Sequence, residues 1–473
     1  MLPMRISTRC PSAEPRRGRV TPGLRSRLAA AGLLLFLTAC NTNGQAASRP
    51  AASAALTSGP VDEVVREVLL NISTSGFNPD PALNGGLGGL WINWRTGTNP
   101  LQANVNTSGT PNADLLRHDY LTDLRYLHAL WLYRAAHPAD GQFDQQVTRF
   151  TRIIKAEFAH PAEDHGWVYD EFIDLYRLSS DRFYEEAAQS LAAHYARLFH
   201  PEVGAIYWVK ADHVHGYYDA DRAVEMAAAL VQAGTIFRRP EWVDAGTRAL
   251  SFVYAHAYLP QAHVVLFSLD NVLQADGNAN PNETILRPNG SLSDAQLAAH
   301  LIRDGGVVEP DELAHIALSL LHAFQASHDR SLLAHAEDIL DSLRADVNAL
   351  GLWDPEGLGY FGAAIYPGPD FAHPGTPRVI RRFKESGRQI QLLEAFHVAS
   401  GLTGGRYLEM EKAMTEVATK LAYYRPGRGY LYEQTADWKP LTLSNGVVSD
   451  WVTTEAMGCA LEGLLSLEDP KPW

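Results

Sequence analysis

The chain has 473 residues, a formal net charge of −14 at pH 7 and three cysteines. This length is enough to bury a large core, and three cysteines are too few for a disulfide framework. The acidic balance disfavours nucleic acid as a partner and, more weakly, polyanionic substrates. Neutral ligands are therefore favoured.

The first 39 residues resemble an export signal. Seven arginines precede an apolar run from Leu28 to Leu37, which is shorter than the roughly 20 residues that span a bilayer. A basic start, a short apolar core and small residues before the cut predict a signal peptide over 1–39. The sequence Leu37-Thr38-Ala39-Cys40 resembles the bacterial lipobox, which implies a fatty-acylated Cys40 and a lipid-anchored protein in the cell envelope, exposed outside the cytoplasm. An ordinary signal peptide with an incidental cysteine is the alternative.

Residues 41–60 are small and polar and predict a flexible tether, because such a segment cannot form a core. The signal holds seven arginines and one glutamate, so its removal leaves 33 basic and 53 acidic residues and a net charge of −20. No later segment resembles a membrane span. We therefore expect a soluble domain over 61–473, without an internal disulfide, that meets the membrane only through its lipid.

The body of the chain repeats a helical hairpin with a short turn. The turns are at 135–143, 177–184, 237–242, 325–332 and 401–408. Apolar residues follow each turn at steps of three and four, as in Phe143, Val147, Phe150 and Ile154, which is typical of a helix with one buried face. Twelve helices are predicted, near 62–74, 113–136, 142–159, 167–179, 182–199, 217–237, 241–258, 308–327, 330–349, 380–400, 405–423 and 449–467.

Connections between these helices alternate between short and long. Short links at one end and long loops at the other predict six antiparallel hairpins with the same orientation. A closed double-walled ring with the even-numbered helices inside accounts for this pattern. A linear solenoid is the alternative, but its repeat length is nearly constant, whereas these hairpins begin 40, 59, 90 and 75 residues apart.

Two segments carry a resemblance to a known superfamily. LSSDRFYEEAAQSLA at 178–192 and LTGGRYLEMEKAMTEVATKL at 402–421 each place a polar turn before an aromatic residue that opens an outer helix. On this basis residues 62–468 resemble the six-hairpin glycosidase-like superfamily, the (α/α)6 toroids. The resemblance implies an all-α toroid with a carbohydrate-active site. No catalytic motif of a particular family can be carried over residue by residue.

Acidic residues crowd the expected starts of the inner helices. Glycoside hydrolysis needs two carboxyl groups, one protonated and one ionised, although acids in a first helical turn also serve as caps. The adjacent pairs Asp170-Glu171 and Asp311-Glu312 stand out, because one member must turn inward if the other caps. We predict that one member of each pair forms the acid and the base (or nucleophile).

Six further residues near the same face are expected to bind a sugar. Aromatic rings stack on the apolar faces of sugars, and arginine or histidine bonds to hydroxyl or acidic groups. The aromatic candidates are Trp167, Tyr218 and Trp451, and the polar candidates are Arg117, His118 and Arg388. The alternative is that the rings form loop core and the cations pair with neighbouring acids.

Neither a metal nor a cofactor is expected. Histidine spacings match no zinc signature, and the loop 276–283 lacks the glycine and the final acid of a calcium-binding EF-hand. Three functions remain open: a glycoside hydrolase, a polysaccharide lyase or sugar epimerase of the same fold, and a noncatalytic glycan-binding lipoprotein. We favour the hydrolase, because the net charge of −20 does not suggest the basic cleft of a lyase. The expected partners are a carbohydrate and, through the lipid, a membrane.

Overall fold

A computed structural model describes residues 59–95, 118–201, 204–206, 217–260, 262–265, 268–270, 307–365, 377–442, 446 and 448–468. The predicted signal peptide, Cys40, Arg117 and the loop 276–283 lie outside these residues. Twelve α-helices are present in the described part, numbered in chain order: α1 Pro60–Asn71, α2 Tyr120–Ala136, α3 Asp144–Glu157, α4 Gly166–Ser179, α5 Arg182–Leu198, α6 Ala220–Ile236, α7 Pro240–His256, α8 Pro310–Ser327, α9 Arg330–Leu343, α10 Gln391–Thr403, α11 Leu408–Glu416 and α12 Thr454–Ser466.

The even-numbered helices form a closed inner ring. Each contacts the next in the order α2, α4, α6, α8, α10 and α12, and α12 contacts α2. Every odd-numbered helix packs outside an even-numbered one: α3 on α2, α5 on α4, α7 on α6, α9 on α8, α11 on α10 and α1 on α12. The predicted (α/α)6 toroid is therefore confirmed, and the linear solenoid is wrong.

The two walls of the ring differ in their burial patterns. On α3, Val147, Phe150 and Ile154 are buried while Thr148 and Arg152 are exposed, as an outer helix with one apolar face requires. On α8, every residue from Leu313 to Ala323 is buried. A helix that is buried all round belongs inside. No helix among the described residues is both long and apolar enough to cross a membrane.

Two of the short hairpin turns share the same local structure, a residue in the left-handed conformation followed by an aspartate that caps the next helix. Ser180 ends α4 and His328 ends α8, each in the left-handed conformation, with φ of 59° and 60°. The next residue begins the outer helix: Asp181 accepts a hydrogen bond from the Phe183 amide, and Asp329 caps α9 in the same way. The cap satisfies amides that the first turn leaves unpaired. The chain therefore reverses within two residues.

Short strands connect the helices, and every ladder is antiparallel. The pair Asn93–Trp94 with Val452–Thr453 joins segments near the two ends of the described chain. The strands are Phe77–Asn78, Gly89–Leu90, Asn93–Trp94, Phe199–His200, Ala205–Ile206, Tyr217–Asp219, Tyr258–Leu259, Val264–Val265, Ser268–Asp270, Val307–Val308, Ala364–Ile365, Arg378–Val379, Lys384–Glu385, Tyr423–Tyr424, Gly429–Tyr430, Glu433–Gln434, Leu441–Thr442, Val448–Ser449 and Val452–Thr453.

Three inner helices begin at least five residues later than predicted, and the first of them is α2, which begins at Tyr120 instead of near 113. The sequence predicts starts near Arg381 and Ser449, but α10 begins at Gln391 and α12 at Thr454. Ahead of α10, Lys384–Glu385 pairs with Glu433–Gln434 and is followed by a 3₁₀ turn, Arg388–Ile390. Backbone groups engaged in a ladder cannot also form helical hydrogen bonds. Tyr217 and Val308 likewise lie in strands just before their helices.

Candidate functional site

A narrow cavity lies between the inner helices, and we call it the central cavity. Five of the six inner helices contribute its thirteen lining residues: Arg125, His128, Trp167, Asp170, Glu171, Asp174, His315, Leu318, Ser319, His322, Gln391, Glu394 and Glu462. Its volume is about 50 Å³. A water needs roughly 10–15 Å³ of such space, so these side chains leave room for a few waters but not for a sugar ring. A sugar must bind above them or displace them.

Arg125 of α2 connects three inner helices at the cavity. Its Nη1 donates to Gln391 Oε1 at 3.1 Å, to Cys459 Sγ at 2.7 Å and to Glu462 Oε2 at 3.3 Å. Hydrogen bonds that involve a charged group are about twice as strong as neutral ones. Arg125 therefore fixes the geometry of the cavity wall, and sequence analysis did not identify it.

Trp167, a predicted sugar-stacking residue, begins α4 and lines the cavity. Its ring lies 4.1 Å from the Arg125 guanidinium and 6.1 Å, centre to centre, from the His315 imidazole. The second Arg125 nitrogen, Nη2, is 3.0 Å from His315 Nε2. Burial and the Arg125 cation oppose the imidazolium of His315, but hydrogen bonds with Cys459 and Glu312 raise the pKa of His315 to about 10. Trp167 is thus held in place beside two polar groups.

Asp170 and Glu171, the first predicted catalytic pair, both line the central cavity. Asp170 Oδ2 accepts a hydrogen bond from Ser319 Oγ at 3.1 Å and lies 3.5 Å from His322 Nδ1. Glu171 Oε1 is 3.7 Å from Arg125 Nε. Burial, with the nearby Glu462 carboxylate, raises the pKa of Glu171 well above its usual range, against the effect of Arg125. Burial therefore favours the protonated form of Glu171.

A second layer of ionisable groups lies deeper in the ring. His128 Nε2 is 2.7 Å from Asp174 Oδ2, and His128 Nδ1 is 2.9 Å from Glu462 Oε1. Burial opposes the imidazolium, but the two carboxylates outweigh it and raise the pKa of His128 well above its usual value. Burial likewise opposes ionisation of Asp174, yet His128 lowers the pKa of that carboxyl to about 2. This layer is ionised.

Glu394 completes the set of cavity acids. Burial, followed by repulsion from Glu462, raises its pKa to about 7. The Gln391 side chain donates a hydrogen bond to Glu394 Oε2 at 2.7 Å. The cavity thus brings together carboxyl groups whose pKa values are shifted in opposite directions, upward for Glu171 and Glu394 and downward for Asp174. Such divergent pKa values are the usual basis of acid and base roles.

The second predicted pair, Asp311-Glu312, does not line the central cavity. Asp311 is 1% exposed and forms an ion pair with Arg388. Glu312 Oε2 is 3.6 Å from His315 Nδ1, and its side chain is 27% exposed. Burial opposes the ionised form of Glu312, but His315 and then Arg388 lower its pKa to about 2. Glu312 is therefore an ionised carboxylate that solvent can reach.

Arg388, a predicted substrate residue, is surrounded by acids. Besides Asp311, it lies 3.2 Å from Glu385 Oε1 and 3.2 Å from Glu455 Oε1, and it donates to the Tyr432 hydroxyl at 2.9 Å. These partners use most of its donors. Its contact with substrate stays a prediction. In the structure Arg388 pairs with three acids and holds them close together.

The remaining predicted sugar-binding residues are not brought together with these groups. Trp451 is buried, with the Arg95 guanidinium 5.8 Å from its ring. His118 contacts Glu157 and Asp123 instead of the cavity. Tyr218 is described only as part of a strand, and Arg117 lies outside the described residues.

Several cavity residues were missed because they lie one or more turns inside the helices that the sequence predicts. Their signal is a polar stripe at helical spacing within helices that are otherwise apolar. It consists of Arg125 and His128 on α2, Asp174 on α4, His315, Ser319 and His322 on α8, Gln391 and Glu394 on α10, and Glu462 on α12.

Comparison with solved structures supports the architecture. An unsaturated glucuronyl hydrolase specific for heparin matches with a TM-score of 0.56 and 16% identity, over 86% of this chain and 96% of that one. A D-mannose isomerase matches with a TM-score of 0.55 and 12% identity, over 89% and 99%. A family 76 glycoside hydrolase from a bovine Bacteroides thetaiotaomicron strain matches with a TM-score of 0.55 and 9% identity, over 87% and 78%. No protein-family model and no curated protein matches the sequence. The shared feature is the (α/α)6 toroid fold.

Proposed function

We propose that this chain is a carbohydrate-active lipoprotein that hydrolyses glycosidic bonds of an extracellular glycan. The observation that carries the proposal is a pair of adjacent carboxyl groups with opposite surroundings. Asp170 and Glu171 both line the central cavity, yet Asp170 accepts a hydroxyl hydrogen bond while burial favours the protonated form of Glu171. Hydrolysis requires one carboxyl of each kind.

Glu171 is the proposed general acid, which donates its proton to the leaving oxygen. Asp170 is the proposed general base or nucleophile. His322 supports this role: burial disfavours its imidazolium, but the hydrogen bond and the charge of Asp170 raise the pKa of His322 above its usual value.

Glu312 is the second candidate for the ionised carboxyl. Its pKa of about 2 keeps the side chain ionised, and the side chain is 27% exposed. Because so low a pKa makes a weak base, its proposed part is to stabilise positive charge that develops on the sugar. Asp311, in contrast, is buried against Arg388, and its proposed part is to hold that cation. Trp167 is the proposed surface against which a sugar ring stacks.

One solved structure adds support for paired acids. An α-1,6-mannanase, described as inactive when two adjacent aspartates are replaced and as binding α-1,6-mannotriose, matches with a TM-score of 0.51 and 13% identity. The match covers 86% of this chain and 98% of that one. Adjacent acids recur here at Asp170-Glu171. A glycan is therefore the substrate class we propose.

The test is release of sugar from a panel of glycans by the wild type and by Asp170→Asn, Glu171→Gln and Glu312→Gln. Loss of a general acid or base is expected to lower the rate at least about a hundredfold. Glu411→Gln is the matched control, because Glu411 is a buried glutamate on α11 whose Oε2 lies 3.3 Å from His397 Nδ1. Full activity in the Asp170, Glu171 and Glu312 variants would contradict the assignment. Binding without cleavage by the wild type would favour the noncatalytic function.

A sugar isomerase or epimerase is the second candidate, because three histidines line the same cavity. His128, His315 and His322 come from two inner helices, and imidazole is the commonest group that moves protons in enzymes. The D-mannose isomerase that shares the fold is consistent with this alternative. His128, however, is held as a cation between two carboxylates, so hydrolysis remains the function we favour.

A further inference from the structure

A compact cluster outside the central cavity combines one histidine with two acids. His118, Asp123 and Glu157 each offer one ligand atom, and these atoms lie within 4.8 Å of one another. His118 Nε2 contacts Glu157 Oε1 and lies 3.4 Å from Asp123 Oδ2. Asp123 is fully buried. The cluster joins α2, α3 and the segment between α1 and α2.

Neighbouring groups orient all three side chains. His118 Nδ1 faces the Leu90 carbonyl at 3.4 Å, and Asp123 Oδ1 accepts a hydrogen bond from the Leu90 amide at 2.9 Å. Asn84 Nδ2 donates to Glu157 Oε1 at 2.6 Å. A histidine whose second nitrogen faces a carbonyl, beside acids that are themselves hydrogen-bonded, is the usual surrounding of a metal ligand set.

Two carboxylate oxygens of the cluster lack hydrogen-bond partners. Asp123 Oδ2 and Glu157 Oε2 are buried, and no described residue forms a hydrogen bond to either atom. A buried oxygen of a charged group that lacks a partner destabilises the fold, because it has lost its hydration without gaining another interaction. A divalent cation would satisfy both oxygens at once.

We propose that His118, Asp123 and Glu157 bind a zinc ion that fastens α3 to α2 and to the segment just before α2. Zinc binds nitrogen at about 2.0–2.1 Å and carboxylate oxygen at about 2.0–2.2 Å in a tetrahedron. Ligand atoms in that geometry are separated by roughly 3.3–3.5 Å, which agrees with the 3.4 Å between His118 Nε2 and Asp123 Oδ2. A nitrogen ligand favours zinc over calcium or magnesium. Water would occupy the fourth position.

Gly89 fits this arrangement, because a side chain there would collide with the ligands. A Cβ atom on Gly89 would lie 2.4 Å from His118 Cε1 and 3.0 Å from Asp123 Oδ2. The site departs from the sequence-based expectation of no metal. Its ligands are five and 34 residues apart along the chain, a spacing that matches no short zinc signature.

The test is calorimetric titration of the chelator-treated full chain with zinc chloride. The wild type is expected to bind one zinc at this site, and His118→Gln, Asp123→Asn and Glu157→Gln are expected to lose it. His137→Gln is the matched control, because His137, Asp62 and Glu468 form a similar triad elsewhere. Unchanged zinc binding in the His137 variant is expected.

A milder variant protects the test against misfolding. Asn84→Ala keeps all three ligands and removes only the donor to Glu157, so zinc affinity should fall about 10- to 100-fold while the helical circular dichroism is kept. The melting temperature of the wild type should rise with added zinc and return with chelator. No zinc binding by the wild type, or binding that survives loss of His118 and Asp123, would overturn the proposal.

Discussion

The guanidinium of Arg125 on α2 lies 4.1 Å from the centre of the Trp167 ring at the start of α4. A cation over an indole face is attracted to it electrostatically. The same guanidinium also contacts groups on α8, α10 and α12, so a single side chain links five of the six inner helices around the central cavity. Trp167 and the cavity acids line the same space.

Replacement of Arg125 by leucine is predicted to lower the free energy of unfolding by about 3–5 kcal/mol. Removal of the cation leaves Glu462 buried and only partly compensated, which is the costly way to break a buried ion pair. Denaturant unfolding measures the change. Arg134→Leu is the control, because Arg134 is 47% exposed and lies 3.8 Å from Asp144. The control should lose less than about 1 kcal/mol, and an equal loss in both variants would contradict the prediction.

Glu394 should make stability fall as pH rises toward neutrality. Burial raises its pKa from 4.5 to about 7, so the folded protein holds this proton more tightly than the unfolded chain does. Glu394 therefore does not lower the free energy of unfolding below about pH 4.5, and it lowers this free energy by its full amount above about pH 7.

Glu394→Gln removes this titration and tests the direction of the shift. Between pH 4.5 and pH 7 the variant should gain roughly 2–3 kcal/mol of stability relative to the wild type. Unfolding measured in matched buffers gives the difference. Glu409→Gln, at a side chain that is 88% exposed, should show no such trend. A difference that stays constant from pH 4 to pH 8 would count against the raised pKa.

Two helical glycines are predicted to respond in opposite ways to alanine. A Cβ on Gly463 of α12 would lie 2.3 Å from the Ile390 carbonyl oxygen, whereas a Cβ on Gly401 of α10 would meet no atom within 4 Å. Gly463→Ala should destabilise by about 1–3 kcal/mol through overpacking. Gly401→Ala should stabilise by roughly 0.5–1 kcal/mol, because alanine favours the helix. Thermal unfolding of both variants measures these changes, and equal changes in stability would contradict the close contact at Gly463.

Lipidation of Cys40 is predicted to hold the protein at the membrane. Cys40→Ala should move the protein to the soluble fraction, because no helix among the described residues is long and apolar enough to cross a membrane. Cys10→Ala, in the predicted signal segment, is the matched control and should remain in the membrane fraction. Undiminished membrane association of the Cys40 variant after fractionation would refute the lipobox interpretation.

The helical ring was predictable because its outer wall has a local signature. Val147, Phe150 and Ile154 recur at helical spacing, and all three are buried. Alternating loop lengths then indicated which helices lie inside. Both signals depend only on residues near each other in the chain, so no distant partner was needed to interpret them.

The helix starts that follow a strand paired with a segment distant in sequence could not be predicted in this way. Lys384–Glu385 is extended because it pairs with Glu433–Gln434, about 50 residues later in the chain. Val452–Thr453 is extended because it pairs with Asn93–Trp94. No local pattern near 381 or 449 reveals these partners.

The candidate site was predictable only at its rim. Asp170 and Glu171 lie near a helix start, a position at which an acidic residue is a candidate for a helix cap or a catalytic group. Arg125 and Glu462 lie in the interior of helices and are 337 residues apart. The role of a buried charged residue depends on the residue that it pairs with, and here the two partners come together only when the helices close into a ring.

Proton NMR in D₂O of the wild type acting on its preferred glycan tests the proposed hydrolysis most directly. Carboxyl-based hydrolysis breaks the glycosidic bond without removing a hydrogen from a sugar carbon. The prediction is that new reducing-end anomeric signals appear while the hydrogen on C2 of the sugar is retained, and that Glu171→Gln abolishes the new signals. Exchange of the C2 hydrogen for deuterium without any bond cleavage would contradict hydrolysis and identify an isomerase instead.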